Sequence, residues 1–279
     1  MGALGAVREL ARQHDVRFDE TRVLKDGSNL LVHLSPAPVM VRIATFTAAV
    51  RVDPWPYLER EVALTSYLFD VGAAVVPPSD LIPSGPHYVE GWAMTCRRFV
   101  SHTPGEAPDG MTALGLLDDL HEAMVGFPGE LPSMNPVRDD LDLAMAFGVR
   151  AGALTEQRAR TLSDERDELL ERLHRLGLPE QAQHGDAHTK NALLTPDGPR
   201  WIDFEDCCAG PRSWDLAVLA RRELDNFVVR AIRGRFEPEE LAIMMELRGL
   251  QSEIWNQLFV VRGHDFGVKA LSGTARPRP

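Results

Sequence analysis

Apolar and polar positions follow different patterns in the two halves of the chain. In residues 1–100, short apolar stretches are separated by turns. The stretches at 30–34 and 39–43 flank a turn that contains two prolines, which is typical of a β-hairpin. A second pair of strands is expected at 87–90 and 92–100, on either side of a glycine. The first half of the sequence therefore predicts a small antiparallel sheet.

Two helices are predicted beside these strands. Residues 4–11 have apolar side chains three or four positions apart, so one face of an opening helix is apolar. A second helix is expected to begin near Asp53 and Pro54, since an acceptor side chain and a proline with fixed φ favour helix entry, and to run to about Asp70. The first half is thus strand-rich, with one long helix.

Helical patterns dominate beyond a linker-like stretch at 103–110, which is rich in proline and glycine. Helices are predicted at 111–126, 138–150, 155–176, 213–233, 237–249 and 250–262. A strand–loop–strand block at 181–204 interrupts them. The pattern predicts an α+β fold with a sheet-rich lobe over 1–100 and a larger, mainly helical lobe over 101–271, followed by a frayed tail at 272–279.

The composition is that of an ordinary globular protein, with 44% hydrophobic and 25% charged residues in a chain of 279. The longest apolar runs are too short to span a bilayer, and the first residues lack the regions of a signal peptide. Cys96, Cys207 and Cys208 have neither the even count of a disulfide framework nor the spacing of a zinc site, which favours reduced, structural thiols. These features predict a cytoplasmic protein without a membrane partner.

The formal net charge of −11, from 41 acidic and 30 basic residues, argues against nucleic acid as a partner. Proteins that bind nucleic acid need a basic surface. An acidic cleft would attract a cationic substrate such as a polyamine. Solubility alone explains the charge equally well, so the charge does not identify a substrate.

The strongest chemical signal is the segment 184–191, HGDAHTKN, followed by Asp203 in the sequence WIDFE. Asp186 comes after a short apolar approach and would project from a loop. Asn191 lies five residues later, and Asp203 ends a second strand-like run after the turn at 196–199. A hairpin between these two runs would bring Asn191 and Asp203 together.

Asn191 and Asp203 supply hard oxygen donors. Mg²⁺ prefers one or two carboxylates together with phosphates and water, so these two residues are candidate metal ligands. The carboxylate of Asp186 is then free to orient a hydroxyl and to accept its proton. Phosphoryl transfer needs little more from a protein than positioning and neutralisation of charge.

The order His-Gly-Asp, four residues, Asn, and then about a dozen residues to Asp-Phe-Glu resembles the signature of aminoglycoside phosphotransferases and choline-kinase-like enzymes. The similarity continues through Gly210 and Pro211 and through WDLA at 214–217. This family has a bilobal protein-kinase-like fold with a small antiparallel-sheet N-lobe and a larger, mainly helical C-lobe. The resemblance therefore implies a small-molecule kinase that uses ATP or GTP and Mg²⁺.

The resemblance also implies roles for residues of the second half. Asp186 would be the catalytic base, and Asn191 and Asp203 would be the magnesium ligands. His184 is part of the catalytic loop that carries Asp186. His184 and Asp215 would together hold this loop in place.

Three further residues are candidates for substrate binding. His188 would contact phosphate or substrate, although a hydrogen bond within its own loop fits its position equally well. Glu205 and Asp206 would face the substrate cleft, where carboxylates bind ammonium groups, and the alternative for both is a solvated segment. A zinc site built from His184, His188 and Asp186 lacks the helical context of a metalloprotease motif.

Nucleotide binding is placed in the first half by the same resemblance. Ser28 and Asn29 belong to the loop between the first two strands, which has the position of the phosphate-covering loop. Arg42 stands where protein kinases have a phosphate-binding lysine, and Glu61 matches the helix glutamate that pairs with that cation. Arginine keeps the charge but binds as a rigid fork.

The hinge between the lobes is predicted near 94–100. Thr95, Cys96 and Arg97 would follow a strand and precede the linker, so their backbone groups would read the adenine edge.

These residues predict a phosphotransferase that moves the γ-phosphate of ATP or GTP onto a hydroxyl of a small molecule, such as a cationic antibiotic, an amino sugar or an amino alcohol. The alternative is a catalytically silent nucleotide-binding or regulatory module, because the phosphate loop has one glycine and Arg42 replaces a lysine. A protein kinase is disfavoured, since the chain has His-Gly-Asp in place of His-Arg-Asp.

Overall fold

Five antiparallel strands form the sheet of the first lobe. The computed structural model describes residues 1–222 and 226–265. The strands of the sheet are β1 (Glu20–Asp26), β2 (Asn29–Ser35), β3 (Val39–Ala44), β4 (His87–Val89) and β5 (Trp92–Arg98). They lie side by side in the order β1-β2-β3-β5-β4, and each neighbouring pair is antiparallel. The sheet predicted from the sequence is therefore confirmed, with β3 at its centre.

Helix α1 (Ala3–Gln13) covers one face of this sheet. Its buried side, which includes Ala6, Val7 and Leu10, shares a core with buried residues of β2 and β3 such as Leu34. Alanines on the packed face let the helix lie close to the strands. This core belongs to the first lobe alone.

Helices make up most of the second lobe. Its helices are α4 (Gly110–Met124), α5 (Asp139–Arg150), α6 (Glu156–Leu176), α7 (Ser213–Arg222), α8 (Asn226–Arg233) and α9 (Pro238–Asp265). Two more helices, α2 (Phe46–Arg51) and α3 (Trp55–Asp70), follow β3 within the first hundred residues. The remaining strands are β6 (Gln181–Gln183), β7 (Ala192–Thr195), β8 (Gly198–Trp201) and β9 (Cys208–Gly210), paired as β6–β9 and β7–β8. None of the described helices is both long enough and apolar enough to cross a membrane.

Helix α2 was not predicted from the sequence. Although it follows β3 directly, Phe46 and Val50 of α2 pack with Leu141 of α5 and Leu258 of α9 in a separate core. A short helix between a strand and a long helix has no clear signal of its own, because its apolar residues continue the apolar run of the strand. Its position matters, because it carries a charged residue into the cleft between the lobes.

One prediction about the late helices is wrong. The helix predicted at 213–233 corresponds to α7 and α8, and the residues between them lie outside the described part of the chain. The helices predicted at 237–249 and 250–262 are one helix, α9, which continues through Gly249. Glycine in a helix interior is less favourable than alanine by about 1 kcal/mol, and packing against the rest of the protein can outweigh this difference. Here the residues on either side of Gly249 remain packed in the core.

The predicted hinge lies too early in the chain. Thr95, Cys96 and Arg97 are inside β5, where they pair with β3, instead of following a strand. The chain leaves the sheet at Phe99, whose N–H donates to the carbonyl of Pro38 at 2.9 Å. β5 begins where the strand predicted at 92–100 begins and ends two residues earlier, at Arg98. The connection between the lobes therefore runs through residues 99–109.

Candidate active site

The loop between β6 and β7 carries the HGDAHTKN segment, and Gly185 sets its shape. Gly185 has a φ of +90°, and a Cβ there would lie 1.9 Å from the carbonyl oxygen of Asp206. Only glycine fits this combination of positive φ and close backbone approach. The loop is thus pressed against the segment that follows β8.

Asp215, at the start of α7, fixes this loop through hydrogen bonds to its backbone. It is fully buried and accepts hydrogen bonds from the backbone N–H groups of His184, at 2.7 Å, and Gly185, at 2.9 Å. The Nε2 of His121 on α4 lies 3.1 Å from the same carboxylate, and Trp214 donates to the Gly185 carbonyl at 3.1 Å. These bonds fix the backbone on which the next residue, Asp186, is carried.

The His184 ring joins the loop to the end of β8. Its Nε2 lies 2.9 Å from the Ile202 carbonyl, and the ring packs on Phe204 with centroids 4.2 Å apart. Burial lowers the pKa of His184, although nearby carboxylates oppose the shift. A neutral ring donates from Nε2 to the carbonyl in this position. His184 faces the interior of the lobe and is fully buried.

Asp186 is surrounded by donors. Asn191 donates through Nδ2 to the Asp186 carboxylate at 3.1 Å and to its carbonyl at 3.0 Å. His188 Nε2 lies 3.4 Å from the carboxylate, and Arg248 of α9 donates to Oδ1. Burial alone would raise the pKa of Asp186, but Arg248 and His188 outweigh burial and hold this pKa below its usual range. The carboxylate is therefore ionised.

Asp203 lies next to Asn191, as the sequence predicts. The hairpin of β7 and β8 brings the two runs together, and the N–H of Ile202 donates to the Asn191 carbonyl at 2.9 Å. Asp203 has a φ of +68°, which is uncommon outside glycine, and its carboxylate lines the cleft. This conformation turns the chain directly after Ile202.

The oxygen donors of this corner fit Mg²⁺. The Asp203 side chain is one-third exposed, and the Nδ2 of Asn191 is used toward Asp186, so its Oδ1 is the remaining donor atom. The described residues contain no cluster of three or more His, Cys, Asp or Glu side chains able to hold a metal ion by themselves. Mg²⁺ typically needs only one or two protein oxygens, since phosphates and water complete its shell.

Arg42 of β3 lies across the cleft from Asp186. It pairs with Glu61 of α3 and with Glu205, and it is almost completely buried. Arg97 of β5 reaches the Glu61 backbone carbonyl at 3.4 Å, and burial lowers the pKa of its guanidinium. Thr95 lies opposite Arg42 in the sheet and is buried. Two cations thus converge on Glu61.

The turn between β1 and β2 closes the front of the cleft. Ser28 lines the cavity, and Asn29 donates to Glu205 at 2.9 Å and accepts from Thr47 at 2.6 Å. Arg262, near the end of α9, donates to the carboxylate of Asp26 in the same turn. The turn is therefore tied to the second lobe at two points.

Glu205 and Asp206, which the sequence predicts to face the cleft and bind ammonium groups, do line the cavity but are paired with arginines. Glu205 binds Arg42, and Asp206 binds Arg51 of α2. Burial raises the pKa of Asp206, and Arg51 opposes this shift. Neither carboxylate is a free acceptor for an ammonium group in this structure.

Arg51 was not singled out by the sequence. It is buried, makes a two-bond pair with Asp140 of α5 at 2.7 and 2.9 Å, and lies over the Tyr57 ring at 4.1 Å. It also approaches Glu205 at 3.3 Å. An arginine in a short unpredicted helix and an aspartate in an ordinary helical pattern leave no sequence signal for such a pair.

Comparison with known proteins gives the chain its family. Residues 21–247 match the model of the APH family, described as "Phosphotransferase enzyme family". The chain belongs to this family. A search of curated protein sequences gave no significant match.

Solved structures share the fold of this phosphotransferase at low sequence identity. The choline kinase LicA from Streptococcus pneumoniae has a TM-score of 0.67 at 15% identity, with 96% of this chain and 98% of that chain covered. The amicoumacin kinase hAmiN, in complex with AMP-PNP and Ca²⁺, has a TM-score of 0.65 at 14% identity, with 90% and 86% covered. APH(2")-IIia, in complex with GDP and kanamycin, has a TM-score of 0.61 at 18% identity, with 93% of each chain covered. These likenesses establish the bilobal kinase-like fold.

The active cleft of the phosphotransferase has a volume of about 360 Å³ and is lined by both lobes. Asp186 and Asp203 line it from the second lobe, and Ser28 lines it from the turn between β1 and β2. Arg248 of α9, which no sequence motif indicates, lines it beside Asp186. Of the residues predicted from the sequence, Ser28, Asp186, Asp203, Glu205 and Asp206 therefore line one cavity between the lobes.

Proposed function

We propose that this phosphotransferase moves the γ-phosphate of ATP or GTP onto a hydroxyl of a small molecule, with Asp186 as the base. One observation carries the proposal. The β7–β8 hairpin holds Asn191 beside Asp203, and Asn191 in turn donates to Asp186. A base and two oxygen donors for a divalent cation are thus connected in the second lobe, and Arg42 of the first lobe comes within 3.9 Å of Asp203.

In this proposal the first lobe binds the nucleotide phosphates. Arg42 would exchange Glu205 for a phosphate, while Glu61 keeps the guanidinium in place. Asn29 would likewise be released from Glu205, and Ser28 already lines the cavity. A guanidinium suits this task because its planar fork matches phosphate oxygens.

The buried residues of β5 support the nucleotide from behind. The sequence predicts that the backbone groups of Thr95, Cys96 and Arg97 bind the adenine edge. These residues are paired within the sheet, so their backbone groups are not available for that contact. Arg97 reaches the backbone of Glu61, which itself holds Arg42. We assign adenine recognition to the connection at 99–109, which begins where β5 ends.

Asp203 and Asn191 would hold Mg²⁺ through a carboxylate and an amide oxygen. Bound by these two residues, Mg²⁺ would neutralise negative charge on the nucleotide phosphates. The bond between Asn191 and Asp186 links the metal corner to the base.

The acceptor hydroxyl would lie against the Asp186 carboxylate. Its oxygen forms a bond to the γ-phosphorus while the bond from that phosphorus to the β–γ bridging oxygen breaks, so a nucleoside diphosphate leaves. The hydroxyl proton passes to Asp186. A positioned base of this kind contributes roughly 10²–10⁴ in rate. His184 and Asp215 act as positioning residues, because their bonds are to the backbone of the loop and to β8.

His188 and the two acidic residues after Phe204 have different parts in this proposal. His188 touches the Asp186 carboxylate within its own loop, and we assign it to orienting Asp186. Glu205 and Asp206 hold arginines of the first lobe. We place the reaction in the cytoplasm, where nucleoside triphosphates are made and thiols such as Cys96 stay reduced.

A catalytically silent nucleotide-binding module is the second candidate. The observation that favours it is the pair between Arg248 and Asp186, because a base engaged by a guanidinium is not free to accept a proton. The two candidates differ in one measurable respect. Only the enzyme consumes nucleotide in a reaction that depends on Asp186.

The test combines Mg²⁺-dependent nucleotide binding with turnover. Purified protein is titrated with fluorescent ATP and GTP analogues with and without Mg²⁺. It is then assayed with Mg·ATP and Mg·GTP against a charge-graded panel of hydroxyl compounds, with mass spectrometry to detect one added phosphate. We expect Asp186→Asn to abolish both the phosphorylated product and the slow hydrolysis of the nucleotide by water. Nucleotide affinity should be retained. Asp197→Asn, in the exposed turn between β7 and β8, is the matched control.

Each result selects one candidate. Product or hydrolysis that disappears in Asp186→Asn and persists in Asp197→Asn establishes the phosphotransferase. Tight Mg²⁺-dependent binding without either activity selects the silent module. Failure to bind either nucleotide rejects both candidates.

A further inference from the structure

The acceptor side of the cleft is rich in arginine. Helices α7 and α9 form this side, and they place Arg221, Arg222 and Arg248 around the cavity that contains Asp186. Arg221 and Arg222 are exposed at the end of α7. A cationic acceptor would be repelled by guanidinium groups, whereas an anionic acceptor would be attracted.

Of the carboxylates that line the cavity, Asp186 is paired with Arg248, and two others are paired with arginines elsewhere. Glu205 is paired with Arg42, and Asp206 with Arg51, both on the side of the first lobe. Among the residues that the structure describes, neither Arg221 nor Arg222 has an ion-pair partner. Three guanidinium groups therefore line the cavity that contains Asp186.

Gly249 supplies an independent observation. It lies in the interior of α9, where glycine is unfavourable by about 1 kcal/mol relative to alanine. The Arg221 guanidinium occupies the space beside it, with its atoms 3.4–3.5 Å from the position of a Cβ. The Arg221 guanidinium therefore packs directly against α9 at Gly249, next to Arg248 in the sequence.

Arg248 limits access to the base. It is buried, bonds to Gln251 at 2.5 Å, and donates to Oδ1 of Asp186. An acceptor hydroxyl that binds Asp186 has to share this oxygen with Arg248 or displace the guanidinium. Displacement leaves a buried charge without a partner, which is costly unless the acceptor itself supplies an anion.

We propose that the acceptor of this phosphotransferase is a hydroxy acid whose carboxylate is bound by Arg221, Arg222 and Arg248. The inference rests on the proposed function and names its substrate class. A carboxylate accepts two parallel bonds from a guanidinium, so it is the small anion that best matches this group of arginines. Its binding draws Arg248 from Asp186 and frees the base for the hydroxyl of the same molecule.

A second cavity, of about 550 Å³, adjoins the first and shares Arg221, Ser252 and Asn256 with it. Four glutamates also line this second cavity, Glu165, Glu168, Glu246 and Glu253. We therefore place the carboxylate of the acceptor in the first cavity, beside Arg248 and Arg222. Neutral and cationic acceptors gain nothing from these arginines, so they leave Arg248 on Asp186.

Matched compounds test the charge preference. D-gluconate, D-glucose and D-glucosamine, which share a hydroxylated chain and differ in charge, are titrated calorimetrically into the Mg·ADP-loaded protein. We expect gluconate to bind at least about tenfold more tightly than glucosamine. The double variant Arg221→Gln/Arg222→Gln should lose this preference, and Arg160→Gln, an exposed arginine on α6, should keep it. Equal or weaker binding of gluconate, including no saturable binding, overturns the proposal.

Two further measurements separate this proposal from the proposed function. Turnover of a cationic acceptor that depends on Asp186 would confirm the kinase and overturn the hydroxy-acid class. Reduced Mg·ADP affinity in Arg221→Gln/Arg222→Gln, with acceptor binding unchanged, would assign the arginines to nucleotide phosphate and would also overturn it. The expected result is a raised acceptor KM with unchanged nucleotide affinity.

Discussion

Arg248 of α9 donates to the carboxylate of Asp186, so the longest helix of the protein reaches the loop that carries the proposed base. This pair joins parts of the chain 62 residues apart. The Arg248 guanidinium has two opposite effects on the proposed reaction. It keeps Asp186 ionised, and it also occupies a carboxylate oxygen that the proposed reaction needs.

Replacing Arg248 should release the base. In Arg248→Gln, a shorter side chain keeps a polar contact toward Gln251 and no longer covers Oδ1 of Asp186. We expect the hydrolysis of Mg·ATP without acceptor to rise by roughly threefold to tenfold, because water gains access to a general base. Phosphate release is the measurement, and thermal unfolding confirms that the variant is folded. A folded variant with slower hydrolysis would contradict this role for Arg248.

Gly185 should tolerate no side chain. In Gly185→Ala the Cβ would lie 1.9 Å from the Asp206 carbonyl oxygen, so the loop must move away and Asp186 with it. We expect loss of turnover and a fall in the free energy of unfolding of about 3 kcal/mol or more. Gly198→Ala is the control, since Gly198 has a φ of +101° but nothing within 4 Å of a Cβ. Similar effects in the two variants would mean that φ alone, and not the close approach, matters.

Arg42 should contribute to both stability and nucleotide binding. Arg42→Ala leaves Glu61 and Glu205 buried without their cation, and removal of one partner from a buried pair costs about 3–5 kcal/mol. The variant should therefore unfold at lower denaturant concentration and show a raised nucleotide KM. Arg160→Ala breaks only an exposed pair with Glu156 and should change the free energy of unfolding by less than about 0.5 kcal/mol. A nucleotide KM like that of the wild type would remove Arg42 from the phosphate site.

The cysteines should resist alkylation across the neutral pH range. Burial raises the pKa of Cys96 and of Cys207 to about 12, so both thiols stay protonated well above pH 8. The thiolate is the nucleophile, and its fraction rises only as the pH approaches the pKa. We expect no labelling by iodoacetamide at pH 8 in the native protein and full labelling in guanidinium, measured by mass spectrometry. Rapid native labelling would show that the core opens far more readily than its packing implies.

The sequence predicts the parts of this site that lie close together along the chain. Asn191 and Asp203 belong to one hairpin, so their proximity follows from the turn between two short strands. The sheet and most helix boundaries follow from apolar periodicity in the same way. These features depend on local chain geometry, which a single sequence records.

Long-range partners are where prediction from sequence stops. Arg248 and Arg51 lie in helices without a recognisable motif, and they reach the site only because α9 and α2 pack across the cleft. Glu205 was predicted to meet substrate because the sequence does not show that Arg42 and Arg51 converge on it. Thr95 was expected to offer its backbone groups to adenine, because the sequence does not show that β3, far away along the chain, pairs with it.

The uninterrupted course of α9 through Gly249 has a thermodynamic consequence. One helix carries Arg248, which contacts the proposed base Asp186, and Arg262, which contacts Asp26 at the turn between β1 and β2. At 1.5 Å per residue these two arginines are about 20 Å apart along the helix axis. A displacement of the helix at Arg248 therefore also moves Arg262. For this reason acceptor and nucleotide should bind cooperatively. Linkage makes that coupling reciprocal: each ligand should change the affinity of the other by the same factor.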